Sequence, residues 1–227
     1  MDIQILYEDN HLLIIEKPIN VPVQQDRSND QDVLTAMKMF IKKRDRKPGN
    51  VYLSLVHRLD RPVGGALILA KTSKAASRLA NALRKREIER TYVAVVRGNI
   101  EKRHDTLTHY LWKDRRRNEV RAVESSVKDA KKAILTYTVL EMKEDLSLVQ
   151  IALETGRSHQ IRVQLATIGH PLYGDQKYGA NVNKVGEQIA LWSTNVSFIH
   201  PVRREPLSID SSPPNVEPWN KWKSIKK

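Results

Sequence analysis

The chain has 227 residues, 40% of them hydrophobic and 29% charged, which suits a folded protein with a sizeable core and excludes a disordered polymer. It has no cysteine, excluding disulfides and thiolate metal sites, and no run near the roughly 20 apolar residues that span a bilayer. A formal charge of +13 and a pI near 9.9 point to a polyanion, because Lys and Arg that neutralise phosphates release condensed counterions.

The opening MDIQILYEDN lacks a basic segment followed by an apolar run, so no secretory leader is expected and a reducing cytoplasm is the expected location. Ile3, Ile5 and Tyr7, then Leu12 to Ile15, predict two short strands around an Asp9-Asn10 turn. Asp30 is placed to cap a helix running to about Lys43, with Val33, Met37, Phe40 and Ile41 on one face. VYLSLVHRLD passes from a strand into irregular chain, and Gly64-Gly65 precedes the buried strand ALILA. Thr72 or Ser73 caps the next helix, whose apolar face is Ala76, Leu79, Ala80 and Leu83.

TYVAVV predicts a strand, and Lys113 to Arg121 an exposed basic loop or hairpin. AILTYTVLEM and LSLVQIALE predict two strands joined at Lys143 to Asp145. Gly156 is expected to open a helix carrying Ile161, Leu165 and Ile168 and closed by Gly169. The tail, about 220–227, is basic and expected to fray. Strands recur without βαβ alternation and no linker or repeat is visible. The expectation is a single α+β domain over 1–227, a mixed, largely antiparallel sheet with flanking helices.

Two clusters carry chemistry. In HRLDRPVGG, Asp60 lies between Arg58 and Arg61, a carboxylate suited to work on an anionic substrate; a turn residue salt-bridged to a neighbour explains the same pattern. In TGRSHQIRVQLA, Arg157 and His159 fall in the expected first turn of a helix, where backbone N–H groups favour an anion, and Arg162 follows one turn later. His57, His159 and His170 are scattered and lack acidic neighbours at ligand spacing, so no metal site is expected.

Together these segments identify a family. HRLDRPVGGALILAKT resembles the catalytic motif of the RluA family of pseudouridine synthases. RTYVAVVRG resembles its Lys/Arg-x-Tyr strand, TGRSHQIRVQLATIGHPLYGDQKYG its other long motif, and EDNHLLIIEKP its N-terminal one, all in the family's order. The resemblance implies the pseudouridine synthase fold with a central basic cleft, and an isomerase that turns uridine in ribosomal or transfer RNA into pseudouridine. It implies Asp60 as the essential carboxylate, Tyr92 packed on the target base, and Arg162 ion-paired with Asp60.

Arg58, Arg61, Arg157, His159 and Lys177 are the expected RNA contacts; Arg61 either wedges into the vacated stack or holds a flanking phosphate. Many relatives carry an N-terminal S4 RNA-binding domain; here the basic rim is expected to bind RNA without one. Three positions depart from the motifs. Val63 and Gly64 stand for Thr and Ser, Asn20 for Gly, and the segment around Trp192 reads Leu-Trp-Ser where Leu-His-Ala is usual. Isomerisation oxidises nothing and adds nothing, so no cofactor and no metal are expected. The expected state is a monomer away from membranes. An RNA-binding or RNA-folding module without catalysis is the alternative, although such a binder gains little from a carboxylate facing phosphates.

Overall fold

The structure is a computed structural model and describes residues 1–26 and 28–225. They form two compact units, Met1–Glu89 with Ser193–Ser211, and Arg90–Trp192 with Ser212–Lys227. The class is α+β with a mixed, largely antiparallel sheet and three α-helices among the described residues.

In the first unit, β1 (Ile5–Glu8), β2 (Leu12–Lys17), β4 (Gly64–Ala70) and β10 (Leu191–Ile199) lie side by side in that order. The short β3 (Ser54–Leu55) pairs with β4, and β11 (Pro206–Asp210) with β10. Residues 12–15 of β2 and 66–70 of β4 are continuous apolar runs, as strands covered on both faces require, and the two strands pair antiparallel from Leu12↔Ala70 to Lys17↔Gly65. Helix α2 (Ser73–Arg84) is capped by Thr72, whose side chain accepts from the Ala75 N–H at 3.2 Å. Its Ala75 and Leu79 pack with Ile14, Ile68 and Phe198.

Helix α1 (Val33–Arg44) is capped by Asp32 rather than the expected Asp30. Asp32 accepts from the Thr35 N–H at 2.9 Å, while the Asp30 carboxylate is bound to Arg61. One buried side chain was thus free to cap because the other acid serves a distant guanidinium.

The second unit orders β5 (Glu89–Arg97), β9 (Leu146–Leu153), β8 (Lys131–Lys143), β6 (His104–Asp114) and β7 (Glu119–Val123). Its described registers are all antiparallel. The β6–β7 pair presents Arg115, Arg116 and Arg117 at an exposed tip, where Asp114 accepts from the Arg116 and Arg117 N–H groups.

Helix α3 spans Gln160–Thr167, later than the expected start at Gly156. Gln160 explains the delay. Its Oε1 accepts from the Arg157 N–H and the Thr155 hydroxyl, its Nε2 donates to the Ile134 carbonyl, and His159 takes a left-handed φ of 52°. Arg157 and His159 therefore precede the helix and are not in its first turn.

The expected basic tail, about 220–227, begins beside two packed tryptophans. Trp219 and Trp222 pack on Val93, Val95 and Leu148, and Trp222 is fully buried. Lys226 and Lys227 lie outside the described residues. Among the described residues no helix is long and apolar enough to cross a membrane.

Candidate active site

Asp60 begins a tight turn in the first unit: the Val63 N–H donates to its carbonyl at 3.0 Å across Arg61 and Pro62. The flanks are pinned. His57 is buried and its Nε2 accepts from the Ile68 N–H at 3.2 Å, while Leu59 and Val63 are buried on either side of the half-buried Asp60. The departure at Val63 is thus a packed apolar side chain. Gly65 has φ +109°, and a Cβ there would sit 2.3 Å from the Ser193 carbonyl oxygen, so the motif's last glycine is fixed by backbone approach. Asn20 adopts φ 62°, the left-handed region that Asn tolerates better than most residues.

Lys17 was not singled out from sequence. It is fully buried, and its ammonium donates to the carbonyls of Pro18 at 2.6 Å and Arg61 at 3.1 Å, clamping the turn that carries Asp60. Burial pushes its pKa down to about 7, with Asp60 opposing the shift and Arg61 reinforcing it.

Unfolded, Lys17 titrates near the ordinary lysine value of 10.5. Between the two values the unfolded chain holds a proton that the folded chain has released. The burial penalty is therefore full below about pH 7 and is relieved as pH rises. Wild-type stability relative to Lys17→Met should increase by roughly 2–3 kcal/mol from pH 7 to pH 9 in urea unfolding. A flat difference across that range would contradict the assignment.

Arg58 is exposed. Arg61 is also exposed, but its guanidinium is occupied: Nε donates to the Asn20 carbonyl, Nη1 to the Ser28 hydroxyl and Nη2 to the Asp30 carboxylate, with Asp26 3.8 Å away.

In the second unit, Tyr92 is buried on β5 opposite Ile151. Arg162 on α3 is buried and grips Asp175 through two bonds, Nε at 2.8 Å and Nη2 at 2.9 Å. This pair is the main feature that sequence reasoning missed. Asp175 is fully buried, and its Oδ1 also accepts from the Lys177 and Tyr178 N–H groups. The Tyr178 ring lies 5.1 Å from the Arg162 guanidinium carbon. Its hydroxyl is 2.6 Å from His159 Nδ1 and accepts from the Val120 N–H of β7.

The segment GDQKYG is thus a cradle for Arg162, reaching the base of the basic hairpin. Arg157 is exposed and donates to the Lys132 carbonyl; Lys177 is exposed and donates to the Asn118 carbonyl. Of the expected RNA contacts, His159 and Lys177 join the Arg162 cradle, and Arg157 lies in the loop before α3.

The first unit thus carries an acidic side chain on a clamped turn, a group able to act as base or nucleophile. The second unit by itself carries a buried tyrosine and a buried arginine. Residues 11–167 match the family described as RNA pseudouridylate synthase, and the chain belongs to that family. It is 34% identical over 206 residues to the uncharacterised RNA pseudouridine synthase YhcT of Bacillus subtilis, covering 90% of this chain and 66% of that one. It is 31% identical over 211 residues to the ribosomal large subunit pseudouridine synthase C of Vibrio cholerae, covering 90% and 64%. A relative of the same name from Buchnera aphidicola is 35% identical over 227 residues, covering 91% and 68%.

The chain thus spans about two thirds of the length of these relatives. In fold it resembles human RNA pseudouridylate synthase domain containing 4, with a TM-score of 0.77 at 21% identity, covering 93% of this chain and 88% of that one. The corresponding domain containing 1 gives a TM-score of 0.75 at 23% identity, covering 95% and 85%.

Proposed function

We propose that this protein is an RNA pseudouridine synthase that isomerises chosen uridines in structured RNA, with Asp60 as the catalytic carboxylate. The observation that carries this reading is the clamped HRLD turn bearing Asp60 inside the segment that matches the family. Two relatives are named for the ribosomal large subunit, which favours ribosomal over transfer RNA as substrate. The protein works as a monomer in the cytoplasm, without a metal or cofactor.

The chemistry suits the residues. The N1–C1′ bond breaks, uracil leaves as a stabilised anion, C1′ bonds to C5, the C5 proton departs and N1 gains one. Asp60 either attacks C1′ or removes a sugar proton. Tyr92 offers its ring face to the uracil and its hydroxyl to the C5 proton. Arg162 is the cation that the family resemblance assigns to keep the carboxylate ionised, and its grip on Asp175 uses only the Nε and Nη2 edge of a five-donor group. The target base must be unstacked first, and Arg58, Arg61, Arg157, His159 and Lys177 hold the surrounding RNA.

Pseudouridine mapping in total RNA from cells with and without the protein tests this reading: defined sites should vanish in its absence, and identical maps would refute it. Arg61 must exchange its Asp26 and Asp30 partners for phosphate. Arg61→Ala should therefore weaken RNA affinity several-fold and reduce its dependence on salt. Unchanged affinity and turnover would remove Arg61 from the interface.

A further inference from the structure

Arg90 lies outside every role assigned so far. It is 8% exposed on β5, two residues before Tyr92, so the two side chains leave the strand on the same face. Its Nε is buried with no hydrogen-bond acceptor, and no carboxylate pairs with it among the described residues. The guanidinium abuts the loop before α3: a Cβ on Gly156 would lie 2.7 Å from Arg90 Nη1. Position 156 is bare where the cation needs the space.

A buried guanidinium without a counter-charge is costly to fold around. Arg162, the other buried arginine of this unit, has a fully buried carboxylate gripping two of its nitrogens. Arg90 has no such partner, and it sits beside the side chain assigned to the uracil.

We infer that Arg90 is a substrate-binding residue whose guanidinium receives an anionic oxygen of the bound nucleotide alongside Tyr92. The inference rests on the reading of Tyr92 as the residue that packs on the target base. Two oxygens have the required chemistry: a uracil carbonyl, which takes on charge as the N1–C1′ bond breaks, and a phosphate oxygen of the target nucleotide. In the first case Arg90 acts as a preformed donor for the leaving group; in the second it is a backbone anchor.

The probe is total RNA from cells lacking the protein, tritiated at uridine C5. Turnover and apparent KM are measured by tritium release, and affinity at several salt concentrations by filter binding, for wild type, Arg90→Gln and Arg90→Lys. A fall in kcat of about 100-fold with KM and salt slope unchanged, partly recovered in Arg90→Lys, identifies the uracil oxygen. A raised KM with a salt slope smaller by about 0.7–0.9 identifies phosphate.

Wild-type kinetics and slope in a folded Arg90→Gln would overturn the inference. Where Arg90→Gln does not fold, Gly156→Ala decides, since it keeps the cation and displaces it. A defect of either kind supports the site, and wild-type behaviour overturns it. Failure of the wild type to release tritium would count against the enzymatic reading alone, and the salt slope would still decide whether Arg90 meets RNA.

Discussion

Asp60→Asn should lower pseudouridine formation by at least about 10⁴-fold while RNA affinity stays within a few-fold of wild type. The amide is nearly isosteric, so the turn closed by the Val63 N–H and the Lys17 ammonium should persist. What disappears is the negative charge that attacks C1′ or takes a proton. Single-turnover tritium release at saturating protein separates that loss from weakened binding. Residual turnover above about a hundredth of wild type would move the chemistry to another residue.

Asp175→Ala should be the most destabilising change in the second unit. It leaves the Arg162 guanidinium buried without its bidentate partner, and breaking such a pair by one side costs about 3–5 kcal/mol. For a chain of this size that corresponds to a fall of roughly 10 °C in Tm. Replacing both residues, as in Arg162→Met with Asp175→Leu, removes the buried cation together with its bidentate partner and should recover much of the stability. It should recover no turnover, because the cation assigned to Asp60 is gone. Recovery of both would show that Arg162 is a core residue only.

Much of the fold was legible because local patterns and tertiary environment agree. The apolar runs of β2 and β4, the Thr72 cap and the turn between β8 and β9 stand where periodicity and turn chemistry put them. Strand β6 was not anticipated: buried Leu107 and Leu111 are separated by His, Thr and Tyr, which dilute the alternation. The start of α3 was misplaced because the Gln160 side chain captures the Arg157 N–H, a tertiary choice that helix spacing cannot reveal. In the tail the lysines drew the eye, while Trp219 and Trp222, which join a buried apolar cluster, went unused in the sequence reading.

The site divides in the same way. Asp60, Tyr92 and Arg162 were singled out from sequence because their motifs are dense and ordered, and the structure puts Asp60 on a clamped turn and buries Tyr92 and Arg162. Asp175 was not, since its partner lies 13 positions away and only burial shows that Arg162 needs a carboxylate there. Lys17 was hidden inside an apolar strand, where a lysine reads as its exposed end. The partners of Arg61 were hidden by a competing local role: Asp30 reads as a helix cap until the distant guanidinium is seen to hold it.

The most direct test is tritium release from RNA labelled at uridine C5, with purified protein, a chelator present and nothing else added. Release matched one-for-one by pseudouridine in intact RNA is the predicted result. Strand scission, or intact RNA with every tritium retained across total RNA from cells lacking the protein, would contradict it.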